Sequence, residues 1–347
     1  MHRLLPVLSA ACLTACWDLP PGDKTSPDFW ADLMLDKYGD ELVVADLEAG
    51  PAPIAEPRTV LLITGVTIRS VWFDPIVARL ERDGFAPVVY EPPALLSGSL
   101  FQAAEDLALV VERVRAASGQ DKIDILAECT GGVIARHYIQ SLGGDAKVSR
   151  LVTFVSPQHG IAKAPLAAAI AGWPALHDLS PGSEFLRAVN GRALPANVPV
   201  TSIYTCSDEY IQPYDTSIIP GATNIGLCGG FVGHFQTFYD PAIYRVMFDA
   251  LTKPLPGSPS DEPAPETPPT EPAPEAPPTQ PDPETPSTQP DLEVSPTQSE
   301  PAMALAPRPE IDTLGCAGAQ GSNPAFLACA LLFGLVVAAR SRRADRR

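Results

Sequence analysis

The chain has 347 residues, 40 of them proline, and a formal net charge of −17. So acidic a balance argues against a nucleic-acid partner. The prolines are too many for one globular unit and crowd into one stretch, which predicts a single folded core with appended segments.

Taken in chain order, residues 1–16 read MHRLLPVLSAACLTAC, a short basic head followed by an apolar run, so a signal peptide is expected over 1–15. An N-terminal extension follows over 16–57, in which Phe29, Trp30, Leu33, Met34 and Tyr38 make one apolar helical face suited to packing on a neighbouring domain. From 58 to 253 the pattern alternates. Strands are predicted over 59–64, 86–90, 122–126, 148–155 and 198–204, and helices between them include 74–82 and 101–117. That alternation predicts an α/β fold, a mostly parallel sheet with helices on both faces. Residues 254–310 are almost all Pro, Glu, Thr, Ala, Ser and Gln, with a ragged repeat (EPAPETPPT, EPAPEAPPTQ), and predict an extended acidic linker. The tail over 311–347 holds Cys316, an apolar run over 325–339 and a terminal RSRRADRR; the run is short for a membrane span, although basic residues directly after it fit a cytoplasmic stop.

The most informative segment is DILAECTGGVI over 124–134, an apolar strand running through a small-residue turn into a helix, with Cys129 at the apex. A nucleophile on such a strained turn stands free of the sheet, ready to attack a carbonyl. Glu128 precedes the thiol, and a carboxylate held close to it raises its pKa.

The ordered pieces LLITGV, AECTGG, VSPQHG, DLSPGSEFLRAVN, SIYTCSDE and GHFQTFYDPAIY, between about residues 59 and 250, resemble the small bacterial triacylglycerol lipases and esterases of the α/β-hydrolase superfamily. The cysteine at the elbow departs from their serine and is similar to the elbow cysteine of dienelactone hydrolases and polyhydroxyalkanoate synthases. Glu128 stands where lipases usually carry histidine, as in many carboxylesterases. Leu13-Thr14-Ala15-Cys16 resembles a bacterial lipobox, which would lipidate Cys16, whereas an ordinary cleaved signal would give Cys16 no role. The order of cysteine, apolar run and basic cluster resembles the tripartite sorting tails of myxobacterial surface proteins; a plain single-span anchor is the alternative.

The resemblance implies a Cys129 nucleophile, a His234 base and an Asp208 acid, in the superfamily's chain order. Glu209 and Asp215 are alternative acids, while His2, His137, His159 and His177 compete less well as the base. Backbone N–H groups of Val66 and Thr130 would form the oxyanion hole, with the Thr67 hydroxyl as a further donor. Cys206 and Cys228 flank the acid-bearing loop, and a bridge between them would leave Cys129 as the free thiol of the folded part. No spacing of metal ligands and no phosphate loop appears, so no metal or cofactor is expected. The expectation is an exported, envelope-anchored hydrolase of carboxylic esters or thioesters acting through a thioester acyl-enzyme. Its partners would be an ester or lipid-like small molecule and a membrane, reached through Cys16 or the tail. An acyltransferase, or a silent hydrolase fold serving as a surface binding module, are the alternatives.

Overall fold

The computed structural model describes residues 20–44 and 47–256. The expected signal peptide over 1–15, Cys16, the expected tail over 311–347 and all but the first few residues of the expected 254–310 linker lie outside the described residues. In chain order the helices and strands are α1 (Pro27–Tyr38), β1 (Thr59–Ile63), α2 (Asp74–Arg82), β2 (Ala86–Tyr90), α3 (Leu100–Ser118), β3 (Ile123–Glu128), α4 (Cys129–Ser141) and β4 (Val148–Phe154). They continue with α5 (Ala164–Ala171), α6 (Pro174–Asp178), α7 (Glu184–Asn190), β5 (Val200–Thr205), β6 (Thr223–Leu227), α8 (Gln236–Tyr239) and α9 (Pro241–Thr252).

All neighbouring strands pair parallel, in the order β2-β1-β3-β4-β5-β6. Successive side chains on a strand point to opposite faces, and the core accordingly divides. Leu61, Ile63, Ile125 and Ala127 face one apolar layer with α3, α4 and α7. Val60, Leu62, Leu126, Val152 and Phe154 face a second layer with α2 and α9. α1 joins this body: Met34 enters the second layer, and Trp30 packs against the alanines of α5. Among the described residues no helix is long and apolar enough to cross a membrane.

The sequence-predicted elements differ from the observed ones mainly at their ends. The first strand stops at Ile63 and the fourth at Phe154, because Val155 turns the chain with a φ of 45°. The third runs on to Glu128, and the fifth is Val200–Thr205. β6 has no counterpart among the predicted strands. Its TNIGL is short, holds a glycine and lies at the exposed edge of the sheet, so no apolar alternation marks it.

From β1 the chain crosses outward to β2, then returns to the other side of β1 as β3. The loops after β1 and β3 therefore diverge and open a crevice at their carboxyl ends, the usual ligand position in an open α/β sheet. Ile63 is in register with Ala127, which sets Thr64-Gly65 beside Glu128-Cys129.

Candidate active site

The elbow is a tight strand-to-helix junction. Cys129 follows β3 with a φ of 45°, in the left-handed region that L-residues avoid, and the surroundings hold it there. A Cβ on Gly131 would meet the Thr64 carbonyl oxygen at 2.7 Å, and one on Gly132 would collide with the Ser156 hydroxyl. The Ser156 hydroxyl donates to the Cys129 carbonyl at 2.6 Å and pins the turn. The motif's small residues are thus steric requirements of the helix's close approach to the strands.

Asp208 lies in the loop after β5, where its Oδ1 accepts from the N–H groups of Tyr210 (2.8 Å) and Ile211 (2.7 Å). Its Oδ2 faces His234 Nδ1 at 2.8 Å, so Nδ1 carries the proton and Nε2 points toward the elbow. Glu209 binds the backbone instead of the ring, its carboxylate accepting the His234 N–H at 2.9 Å. Asp215 sits apart, in the turn Tyr214–Ser217. The other histidines of the folded part are also elsewhere. His137 packs between the rings of Phe101 and Phe185, His159 contacts the Ile218 carbonyl at 3.0 Å, and His177 is exposed on α6.

Glu128 plays a larger part than its place in the sequence suggests. Its Oε2 accepts the Gly65 N–H at 2.7 Å, and its Oε1 lies 3.0 Å from His234 Nε2, the nitrogen a nucleophile would need. The donor atoms of Glu128, Cys129 and His234 all lie within 4.8 Å of one another. A proton must occupy the Oε1–Nε2 contact for it to be attractive, and the surroundings favour that. Burial pushes the Glu128 carboxyl pKa up. For His234 burial works in the opposite sense, but the charge and hydrogen bond of Asp208, with bonds to Cys129 and Glu128, outweigh it and hold the imidazole pKa well above its usual value. Burial, and next the Glu128 charge, push the Cys129 thiol pKa up. The resting site therefore keeps a neutral thiol beside an imidazole engaged on both sides.

Of the expected oxyanion-hole residues, Val66 lines the pocket next to Cys129, and Thr130 is buried in the first turn of α4 with its hydroxyl 3.7 Å from Sγ. The Thr67 hydroxyl is committed elsewhere, donating to the Val66 carbonyl at 2.7 Å. The pocket over Cys129 and His234 is narrow, with a cavity of about 60 Å³, and its walls include Ile161, Trp173, Leu176, Tyr210 and Phe235. Cys206 and Cys228 are disulfide-bonded, and Cys129 is a buried free cysteine.

Strand order, elbow and the carboxylate–histidine pair define the α/β-hydrolase fold. The comparisons agree. The palmitoyl protein thioesterase family matches residues 94–205, which include the elbow. Lipase B of Pseudozyma antarctica is 27% identical over 172 residues, a match covering 48% of this chain and 49% of that protein. The chain thus matches about half the length of that curated relative. Among solved structures, lipase B of Aspergillus fumigatus shares the fold with a TM-score of 0.51 at 22% identity, over 61% of this chain and 57% of that one. The family match and the lipase B sequence match are lipase- and esterase-like, and the likeness to the solved structure shows the fold.

Proposed function

We propose that the chain hydrolyses carboxylic esters or thioesters with Cys129 as nucleophile, His234 as base and Asp208 as the residue orienting the imidazole. The observation that carries this is the Asp208–His234 pair at 2.8 Å, aimed at a left-handed elbow residue on the wall of an apolar pocket. Sγ forms a bond to the acyl carbon as the thiol proton passes to Nε2. The bond from that carbon to the leaving alkoxide or thiolate then breaks, and the leaving group takes the proton from Nε2. Water repeats the sequence on the thioester and restores the thiol. Nε2 must first be free to accept: the proton of the Oε1–Nε2 contact stays on the Glu128 carboxyl, which keeps its bond from Gly65 and releases the imidazole. The apolar walls suit an acyl chain better than a charged substrate.

The 1–15 signal, lipidation at Cys16 and an anchoring or sorting tail over 311–347 complete the proposal, placing the hydrolase at the cell envelope. Removal of the tail predicts that the exported protein lacks a RSRRADRR peptide by mass spectrometry.

One observation favours a second reading, a binding module with a silent site: the Glu128 carboxylate occupies Nε2 at 3.0 Å, the nitrogen the thiol would need as its base. A panel of nitrophenyl esters and acyl thioesters assayed with Cys129→Ala separates the two. Turnover in the native chain that is lost in a variant melting normally supports the hydrolase, as does an acyl adduct on Cys129 seen by intact-protein mass spectrometry. Equal turnover in the variant removes Cys129 from the chemistry, and no turnover or adduct from any substrate leaves the binding module.

A further inference from the structure

We propose that Glu128, Cys129 and His234 form a site for a soft divalent cation of the zinc class, its fourth coordination position opening on the apolar pocket. Their donors, a carboxylate oxygen, a thiolate sulfur and an imidazole nitrogen, are the set that zinc prefers. All three residues are buried, and their donor atoms lie within 4.8 Å of one another. Tetrahedral zinc, with bonds of about 2.0–2.3 Å, spaces its ligand atoms by about 3.3–3.8 Å. The 3.0 Å between Oε1 and Nε2 needs to open slightly, and the sulfur needs to approach by no more than about 1.5 Å, within reach of side-chain rotation.

The surrounding hydrogen bonds already hold the ligands as a metal site requires. A ligating histidine almost always donates its other ring N–H to a carboxylate or carbonyl, which fixes the tautomer. Asp208 takes that part at 2.8 Å and is itself held by two backbone N–H groups. Gly65 donates to Glu128 Oε2 at 2.7 Å and leaves Oε1 for the cation. A thiolate and a carboxylate neutralise a divalent charge, so the three ligands and the cation together carry no net charge, and the Asp208 carboxylate beside them is met by its bonds to the imidazole and two backbone N–H groups. Three protein ligands with one position left open is the arrangement of zinc sites that exchange water or ligand.

Binding changes no oxidation state. Bonds form from the cation to Sγ, Nε2 and Oε1, while the thiol proton and the proton shared between Oε1 and Nε2 leave to solvent. The bound cation would hold both the sulfur and the nitrogen that acyl transfer needs, so it would silence that chemistry reversibly. The site itself requires no turnover and stands or falls apart from the hydrolase proposal. Linear spacing gives no sign of it, since Glu128 and His234 are 106 positions apart.

The test is a Co²⁺ titration of the chelator-treated full-length chain, followed by ultraviolet and visible absorption. Cysteines outside the described residues also bind cobalt, so the quantity to read is the difference between the native chain and Cys129→Ser. A thiolate-to-cobalt band in that difference, saturating at one equivalent and displaced by Zn²⁺, is expected. Asp208→Asn should retain the band and weaken affinity about 10- to 100-fold. Identical bands in the native chain and Cys129→Ser would overturn the proposal. If that variant does not fold, the native chain still decides. One equivalent of Zn²⁺ should slow alkylation of Cys129, followed by peptide mapping, at least tenfold with recovery on chelation, and an unchanged rate would refute the site.

Discussion

Replacing Glu128 by alanine removes both the group that engages His234 Nε2 and the nearest negative charge to the thiol. The donor atoms of Glu128 and Cys129 lie no more than 4.8 Å apart, so a fully charged carboxylate and thiolate would repel by about 3.5 kcal/mol at an effective dielectric of about 20. Burial raises the Glu128 pKa, and any proton it holds lessens that repulsion. Half that repulsion, about 1.7 kcal/mol, still corresponds to more than a tenfold gain in thiolate population. The assay is alkylation of Cys129 by iodoacetamide as a function of pH, with a chelator present. The sign is fixed by the direction of the shift: the thiol is held neutral, so Glu128→Ala should alkylate at least tenfold faster at mildly alkaline pH, and its pH–rate profile should move to lower pH. Stability should fall by about 1–3 kcal/mol, because the Gly65 N–H loses its partner. Glu128→Gln separates charge from occupancy. Its amide can still accept from Gly65 and donate to Nε2, so its rate should lie between those of the other two. An alkylation rate unchanged or lower in a folded Glu128→Ala protein would refute the argument that this carboxylate restrains the thiol.

Three further outcomes concern stability. Arg150 pairs with buried Asp124 at 3.1 Å and donates to the Lys253 carbonyl beyond α9 at 2.6 Å; Arg150→Met leaves that carboxylate only the half-buried Arg58 at 3.5 Å and should cost about 3 kcal/mol in urea unfolding. Glu48 has its pKa lowered from 4.5 to about 2, chiefly by its hydrogen bond to Arg79, so its contribution is fully present above pH 4.5 and is lost as pH falls toward 2. The difference in melting temperature between native protein and Glu48→Gln should therefore shrink across that window, and a constant difference would contradict the linkage. Replacing Cys206 and Cys228 together by alanine opens a loop with a sequence separation of 22, which should lower stability by about 3 kcal/mol in denaturant titration and leave any Cys129 chemistry measurable.

The α/β layering was legible in the sequence, because strands buried in a parallel sheet need apolar runs, and TVLLI and the ILA centre of IDILAE show these without any partner in view. It also placed Cys129 at an elbow, since only small residues such as Gly131 and Gly132 let a helix start so close to a neighbouring strand. The segment TNIGL carried no such signal, because an edge strand is held by ladder hydrogen bonds from β5 rather than by its own buried side chains. Asp208 as the acid rested on the resemblance alone, because Glu209 is adjacent and only the loop's path turns one to the ring and the other to the backbone N–H. The bridging of Gly65 and His234 by Glu128 was decided by tertiary structure alone. It depends on β1 lying beside β3 in one register and on a loop 106 residues away returning to the same crevice, and no local pattern encodes a contact made by strand order.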